Sequence, residues 1–258
     1  YQFQMKNIIL VGSGNVATHL GLSLVKKGYK IRQVWSRNIQ NANILAKKLN
    51  SNPTDSINKL KNADLYILAV KDDAVKYILN KLTGDNIIHT SGAIDIDIFH
   101  GKFKNYGVFY PLQTFNKQVN TDFSNTPICI EANNKSFNKK LLNIGNKLSE
   151  KVVQMNSQER KKIHVAAVFA CNFTTHMFTI ADSILTKSNT EFEILLPLIY
   201  QTVEKLKLQK PADLQTGPAA RKDLEVIKKH IDFLSDNKLK KIYQILSNSI
   251  MQNNDYSK

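Results

Sequence analysis

The chain has 258 residues, 42% of them hydrophobic, which is enough for one large or two modest domains with a real core. No apolar run approaches the ~18 residues of a membrane span and no signal-peptide pattern is found, so we expect no membrane segment. The formal charge of +15 comes largely from lysines scattered as pairs, with no basic stripe interleaved with aromatic residues. This composition favours a general attraction for anionic ligands over a nucleic-acid-binding surface.

A glycine-rich turn follows the first predicted strand. Residues 8–11 form a continuous apolar run, as expected for a strand buried on both faces of a parallel sheet. Gly12, Gly14 and Ala17 then have the Gly-x-Gly-x-x-Ala spacing of a dinucleotide-binding fingerprint, which lets a pyrophosphate approach the start of a helix. The alternative is a tight strand-to-helix turn without a ligand. We predict a nucleotide site with contacts from Gly12, Ser13, Gly14, Asn15 and Val16.

The end of the second predicted strand, residues 31–35, indicates which cofactor binds. A carboxylate at this position would accept hydrogen bonds from a ribose 2′-hydroxyl and repel a 2′-phosphate, and none is present. Ser36 and Arg37 stand there instead, and a guanidinium suits a phosphate by its charge and planar fork. We therefore predict NADP rather than NAD, although Arg37 could be an ordinary exposed loop arginine.

Strands and helices alternate through residues 5–156, which predicts an α/β domain with a Rossmann-type, doubly wound, mainly parallel sheet. Ligands bind beyond the carboxyl ends of such strands, so Val70 and Lys71 are predicted cofactor contacts and Ser91 should lie on the same edge. Asp72 or Asp73 is predicted to cap the helix after Lys71. Helices are predicted at 15–27, 41–49, 72–82 and 135–149, and further strands near 51–54 and at 63–70, 86–90, 106–112, 127–131 and 151–155.

The two cysteines, Cys129 and Cys171, are far apart and have no second Cys or His at ligand spacing. This pattern argues against a structural zinc site or a disulfide framework and suits a reducing cytoplasm. We therefore expect a cytoplasmic protein without a bound metal.

Residues 157–258 are predicted to form an all-α second domain. Its first long helix has an apolar and a polar face at 3.6-residue spacing, and the polar face either lines a cleft or is simply solvated. The apolar face contains Ala166, Phe169, Phe173, Met177, Ile180 and Ile184, and the polar face His164, Asn172, Thr175, Thr179 and Asp182.

A later helix start is predicted near residue 217. Thr216 or Gly217 is the expected cap, with Pro218 at the first helical position. Arg221, one turn into this helix, would receive an anionic group, or the segment is ordinary helix initiation. Helices are predicted at 191–208, with a kink or break at Pro197, at 218–234 and at 238–251.

Six segments carry a resemblance to known proteins: 12–17, 63–74, 89–93, 111–115, 164–176 and 216–223. With these residues the chain from Met5 onward resembles a group of bacterial Rossmann-like NADP oxidoreductases whose helical C-terminal domain has no known function. The wider superfamily to which it is similar includes pyrroline-5-carboxylate reductase, ketopantoate reductase, and the 6-phosphogluconate and 3-hydroxyisobutyrate dehydrogenases. The resemblance implies a nicotinamide site at the domain junction and dimerisation through the helical domain.

The chain departs from this superfamily at three positions. Its hydroxyacid dehydrogenases have a catalytic lysine four residues before a helix asparagine, whereas Val168 precedes Asn172 here. Tyr110 replaces the histidine that many relatives have before the Pro-Leu pair, and Lys71 replaces a frequent proline. The lysine mechanism of those relatives is therefore not expected.

We expect an NADP-dependent oxidoreductase that transfers a hydride between the nicotinamide and a small carbonyl, imine or alcohol. His164 is the candidate general acid or base, because an imidazole exchanges protons near neutral pH, and Asn172 would hold the substrate or orient the imidazole. Ser91, Tyr110 and Arg221 are secondary candidates for substrate contacts. The alternative is a non-catalytic NADP(H)-binding sensor. The expected partners are a small-molecule substrate and a second copy of the chain, without nucleic acid or membrane.

Overall fold

The computed structural model describes residues 5–119 and 121–252. These residues form two compact units, one that ends at Met177 and one that begins at Phe178. The domain boundary predicted from the sequence lies after residue 156, where strands give way to helices, and residues 253–258 of the predicted second domain lie outside the described residues.

The first unit is built on one sheet of eight strands. Its strands are β1 (Asn7–Val11), β2 (Lys30–Trp35), β3 (Asn52–Thr54), β4 (Leu65–Leu68), β5 (Asn86–His89), β6 (Asn105–Pro111), β7 (Ile128–Ala132) and β8 (Val152–Gln154).

The strand order confirms the predicted Rossmann-type, mainly parallel sheet. The order is β3-β2-β1-β4-β5-β6-β7-β8, and every neighbouring pair is parallel except β6 with β7. The strands that follow β1 are added first on one side of it, as β2 and β3, and then on its other side, beginning with β4. Ligand crevices of doubly wound sheets open at this switch point, beyond the carboxyl ends of the strands.

Five helices of the first unit are α1 (Asn15–Lys26), α2 (Ile39–Leu49), α3 (Asp72–Leu79), α4 (Lys135–Leu148) and α5 (Ser157–Ala167). Asparagine side chains cap the N-termini of α2, α4 and α5. The predicted aspartate cap of α3 is wrong, because Lys71 is at the cap position and Asp72 and Asp73 lie in the first turn. Carboxylates there still interact favourably with the positive end of the helix.

Both faces of β1 are buried, as its apolar run predicted. Ile8 and Leu10 belong to an apolar cluster completed by α1, α2 and α4, whereas Ile9 and Val11 belong to one completed by α3. All four side chains are fully buried. Since successive residues of a strand point to opposite faces, helices on both sides of the sheet are needed to cover this run.

The helix that begins at Ser157 extends to Thr186. It consists of α5, a π-helical segment at Val168–Phe173 and α6 (Thr174–Thr186). A uniform 3.6-residue period was therefore the wrong expectation for this helix. An 18-residue window of this helix has a mean hydropathy of 1.3, and none of the window is buried. By length and composition, it is the only helix of the described residues that could cross a membrane. Polar residues such as His164, Asn172 and His176 interrupt this helix, so a search for unbroken apolar runs did not single it out.

The second unit contains α7 (Leu196–Lys205), α8 (Leu224–Phe233) and α9 (Asn237–Met251). The helix predicted over 191–208 is broken next to Pro197, as expected, because a 3₁₀ segment ends at Leu195 and α7 begins at Leu196, with the proline tolerated in its first turn. The predicted helix start at Thr216 or Gly217 is wrong. The Asp223 carboxylate accepts a hydrogen bond from the Val226 amide and starts α8, so Arg221 lies before the helix.

Candidate functional site

A cavity of about 1400 Å³ opens at the carboxyl ends of the parallel strands, and all of its lining residues belong to the first unit. Its wall includes the nine predicted cofactor contacts, both predicted catalytic residues, and Ser91 and Tyr110. The predicted residues on this wall are Gly12, Ser13, Gly14, Asn15, Val16, Ser36, Arg37, Val70, Lys71, Ser91, Tyr110, His164 and Asn172. Arg221 belongs to the second unit and does not line this cavity.

The turn after β1 requires glycine at its first position. Gly12 has a φ of +128°, and a Cβ built there would lie 2.2 Å from the Ala69 carbonyl oxygen. The Gly12 amide donates to the Trp35 carbonyl at 2.8 Å, which holds the turn against β2. A Cβ on Gly14, by contrast, would meet no atom within 4 Å, so this glycine leaves open space at the helix start.

The N-terminus of α1 fits the pyrophosphate of a dinucleotide. Gly14 is its cap residue, no side chain caps the helix, and its first turn has no acidic residue. The free amides and the positive end of the helix dipole therefore remain for an anion. The Asn15 side chain donates to the Phe115 carbonyl at 2.8 Å and ties the loop after β6 to this turn.

The end of β2 places a hydroxyl pair and a cation on the cavity wall. Ser13 Oγ donates to Ser36 Oγ at 2.9 Å, and both residues are buried. Arg37 is exposed and lines the cavity. The next residue, Asn38, caps α2, and none of the three residues between β2 and α2 is a carboxylate. The local chemistry matches a 2′-phosphate better than a bare ribose hydroxyl.

Tyr110 and His164 form one unit although they are 54 residues apart. The Tyr110 hydroxyl lies 3.0 Å from His164 Nδ1, and the two rings meet edge to face. Gly92 packs directly against both rings, because a Cβ there would lie 2.6 Å from His164 Nδ1 and 2.8 Å from Tyr110 Cζ. A bare backbone at Gly92 is therefore required for this pair to form.

The π-helical segment explains how Asn172 reaches the cavity beside His164. In an uninterrupted α-helix, residues eight apart differ by about 80° around the axis. One extra residue accommodated by a π-type turn reduces this angle to about 20°. His164, Val168 and Asn172 accordingly all line the cavity, whereas Thr175 and Asp182 of the predicted polar face do not.

Sequence reasoning missed a buried ion pair that anchors α5. Arg160 is fully buried, and its guanidinium donates to the Glu131 carboxylate, the Ile94 carbonyl and Ser157 Oγ. Glu131 also accepts from the amide and hydroxyl of Ser157. The start of α5 is thus joined to β7 and to the loop after β5. The sequence shows Arg160 only as a charged residue in a predicted helix. It does not indicate that Glu131 is its partner, because the two residues are 29 positions apart.

Two family descriptions match the chain. Residues 7–97 match the family described as NADP oxidoreductase coenzyme F420-dependent, and residues 126–250 match a domain of unknown function, DUF2520. A search of the curated proteins gave no match.

Solved structures similar to this chain include oxidoreductases. A protein from Bacteroides fragilis, named "putative NADP oxidoreductase", is 38% identical over 96% of this chain and 98% of its own, with a TM-score of 0.91. A protein from Thermotoga maritima is 21% identical over 95% of this chain and 100% of its own, with a TM-score of 0.75. Pyrroline carboxylate reductase from Plasmodium falciparum, solved with NADP bound, is 14% identical over 95% of both chains, with a TM-score of 0.60. The latter two likenesses concern the fold alone.

Proposed function

The chain belongs to the family of NADP oxidoreductases that includes the Bacteroides fragilis protein, and from this premise we propose that it transfers a hydride between NADP and a small carbonyl, imine or alcohol. The cofactor of the family is NADP. The observation that carries the proposal is that the glycine-rich turn, Arg37, His164 and Asn172 all line one cavity. In this proposal the reaction takes place where the strand ends face the helix that begins at Ser157.

The residues at the two ends of the cofactor site have separate tasks. The uncapped N-terminus of α1 binds the pyrophosphate, and Arg37 with Ser36 binds the 2′-phosphate. Val70 and Lys71 follow β4 on the same sheet edge and complete the contacts. Lys71 adds a second cation to the wall facing an anionic ligand.

The chain's own chemical contribution is a proton. When bound, reduced NADP supplies a hydride to the substrate carbon. The substrate oxygen or nitrogen gains the electron pair of the broken π bond, and the imidazole of His164 supplies its proton. The Asn172 amide, on the same face of the helix, holds the substrate in place. The reverse direction uses the same groups, since the proton of the alcohol returns to the imidazole nitrogen that gave it up.

The polar wall favours an enzyme over a nucleotide sensor. A sensor needs only to grip the cofactor, and apolar packing against the nicotinamide would then be sufficient. The cavity wall formed by the ends of β5 and β6 and by the helix that begins at Ser157 instead has side chains that can transfer protons or form hydrogen bonds. They are Thr90, Ser91, Tyr110, His164 and Asn172.

The first test is a titration of the purified protein with NADPH and NADH, followed by heat or fluorescence. Replacing Arg37 with Asp should weaken NADPH binding by about 10–100-fold and leave NADH binding nearly unchanged, because a charge-assisted phosphate contact is lost. Arg32→Asp is the matched control, since Arg32 is also exposed on β2 but does not line the cavity. His164→Ala should retain NADPH binding.

Binding of neither nucleotide at millimolar concentration would contradict the proposal. With binding established, a panel of small aldehydes, ketones and imines is screened for NADPH oxidation. His164→Ala should then lower kcat by about 100-fold or more, the usual contribution of a general acid.

We extend the proposal to a cytoplasmic homodimer joined through the helical region. The support is the large number of exposed apolar side chains on the helices after Ser157. An apolar face of this kind needs a covering surface in water, and a second copy is the simplest one. Both cysteines are free thiols, which suits a reducing compartment.

A further inference from the structure

The Tyr110–His164 pair on the cavity wall has a defined geometry. The hydroxyl oxygen lies 3.0 Å from Nδ1, the ring centroids are 5.8 Å apart and the planes meet at 78°. The backbone of Gly92 closes one side of both rings. With Nδ1 facing the tyrosine, Nε2 is the ring nitrogen left for the cavity that His164 lines.

The direction of this hydrogen bond decides which nitrogen carries the proton. Burial raises the pKa of Tyr110 to about 12, so its hydroxyl keeps its hydrogen at neutral pH. No other hydrogen-bond partner of this hydroxyl is found among the described residues. A hydroxyl that donates to Nδ1 leaves the single proton of a neutral imidazole on Nε2. When that proton passes to the substrate, Nδ1 takes up the proton of the Tyr110 hydroxyl, so the ring stays neutral, and the phenolate regains a proton from solvent.

Ser91 adds a second donor on the same wall. Its Oγ accepts hydrogen bonds from the Ala93 and Ile94 amides, both at 3.1 Å. The oxygen lone pairs are thereby engaged, and the hydroxyl hydrogen is left to donate to a ligand. Ser91 and His164 therefore present two donors to one cavity.

We propose that Tyr110 is a positioning residue that holds His164 as an Nε2–H donor toward the cavity, and that the site accordingly takes substrates whose reducible group is a hydrogen-bond acceptor, a carbonyl oxygen or a neutral imine nitrogen. The substrate class rests on the proposed function, whereas the geometry of the Tyr110–His164 pair does not depend on it. A protonated iminium has no lone pair for these two donors, so it is disfavoured as the bound form.

The test is the ¹⁵N spectrum of the histidine side chains in the full-length protein at neutral pH. His164 is assigned from the signals that disappear in His164→Gln. In the wild type, Nδ1 should resonate as an unprotonated nitrogen and Nε2 as a protonated one. In Tyr110→Phe the two signals should move toward each other, because the Nδ1–H tautomer becomes populated.

Tyr243→Phe is the matched control. The Tyr243 hydroxyl lies 2.8 Å from His230 Nδ1 with the rings at 84°, so the same kind of pair is broken away from the cavity. This variant should leave the His164 signals as in the wild type. A wild-type spectrum with the proton on Nδ1 would overturn the inference, since Tyr110 itself would then be the donor to the cavity. Unchanged His164 signals in Tyr110→Phe would overturn it as well.

Two further measurements separate this inference from the proposed function. The NADPH affinity of Tyr110→Phe should stay within about twofold of the wild-type affinity. If the wild-type protein does not bind NADPH at all, the proposed cofactor site is rejected, but the result on the His164 tautomer stands. With an active ketone or aldehyde, Tyr110→Phe should lower kcat by about 10–100-fold and change KM little, because a misdirected donor affects the reaction more than binding. Turnover of iminium substrates alone would overturn the substrate class.

Discussion

His89 is a buried imidazole at the end of β5 that the sequence analysis assigned no role. Its Nδ1 accepts a hydrogen bond from the Ser91 amide at 3.2 Å, and its ring stacks on Phe99. Its Nε2 has no hydrogen-bond partner among the described residues. Burial and then repulsion from Arg160 lower the pKa of His89 to about 3. The residue is therefore neutral in the folded protein and shapes the loop that contains Ser91 and Gly92.

The depressed pKa of His89 predicts a loss of stability in acid. In the unfolded chain a histidine titrates near ~6.5, so below that pH the unfolded state binds a proton that the folded state does not. Stability is complete above ~6.5 and should fall by about 2 kcal/mol from this residue between about pH 8 and pH 5. The free energy of unfolding from urea denaturation at both pH values measures it.

His89→Leu is the comparison for this slope. It lacks the titrating group, so its unfolding free energy should change by about 2 kcal/mol less than that of the wild type over the same interval. Equal slopes for the two proteins would mean that His89 does not cause the acid sensitivity.

At the scale of elements, the attachment of α5 decides where His164 lies. Arg160 is one turn before His164 and is fully buried, with its guanidinium on Glu131 of β7 and on the Ile94 carbonyl. Lys161 adds a more exposed ion pair to Asp95 at 2.8 Å. The loop after β5 and the helix that carries His164 are thus held together at the site.

Breaking the buried pair should be far more costly than breaking the exposed one. Arg160→Met leaves the Glu131 carboxylate, only 15% exposed, without its cation, and should lower the free energy of unfolding by about 3–5 kcal/mol. Lys161→Met removes a pair whose side chains are 37% and 36% exposed, so it should cost at most about 1 kcal/mol. Urea denaturation at neutral pH gives both values.

A double variant tests the cause. Arg160→Met combined with Glu131→Leu removes both charges and should recover part of the lost stability, because no uncompensated charge remains. If Arg160→Met is no more destabilising than Lys161→Met, the pair does not anchor the helix.

At the scale of the whole molecule, the described chain leaves much apolar surface uncovered. Phe169 and Phe173 are 65% and 49% exposed and meet edge to face on the π-helical segment. In the second unit, one leucine, one tyrosine and one valine of α7 are exposed, and so is an isoleucine just before this helix. Surfaces of this kind are typical of subunit interfaces.

We therefore expect a dimer in solution, measured by light scattering or sedimentation over a range of concentrations. Phe173→Asp should raise the dissociation constant by about 30-fold or more, because an aromatic contact is replaced by a charge that must be desolvated. Ile44→Asp on α2 is the control, since Ile44 is 61% exposed in the first unit and should leave the mass unchanged. A monomer at every concentration would contradict the dimer. Extraction only with detergent would instead point to a membrane as the covering surface.

The sequence by itself determined the sheet and the end of the cavity that the glycine-rich turn forms. An apolar run followed by Gly12 and Gly14 predicted β1, the turn and α1, because these elements depend on neighbouring residues and on local backbone freedom. The alternation of strands and helices predicted the parallel sheet, and the parallel sheet brought the strand ends to one edge. Ser36 and Arg37 were placed correctly on the cavity wall by the same reasoning.

Only the tertiary structure decided how the end of the cavity around His164 is built. The pairs Tyr110–His164 and Arg160–Glu131 join residues far apart in the chain, and no spacing rule specifies which distant side chain fills a contact. The π-type turn that turns Asn172 toward the cavity interrupts the very period from which the helix faces were predicted. Local patterns encode the elements, whereas side-chain partners depend on which surfaces the folded chain presses together.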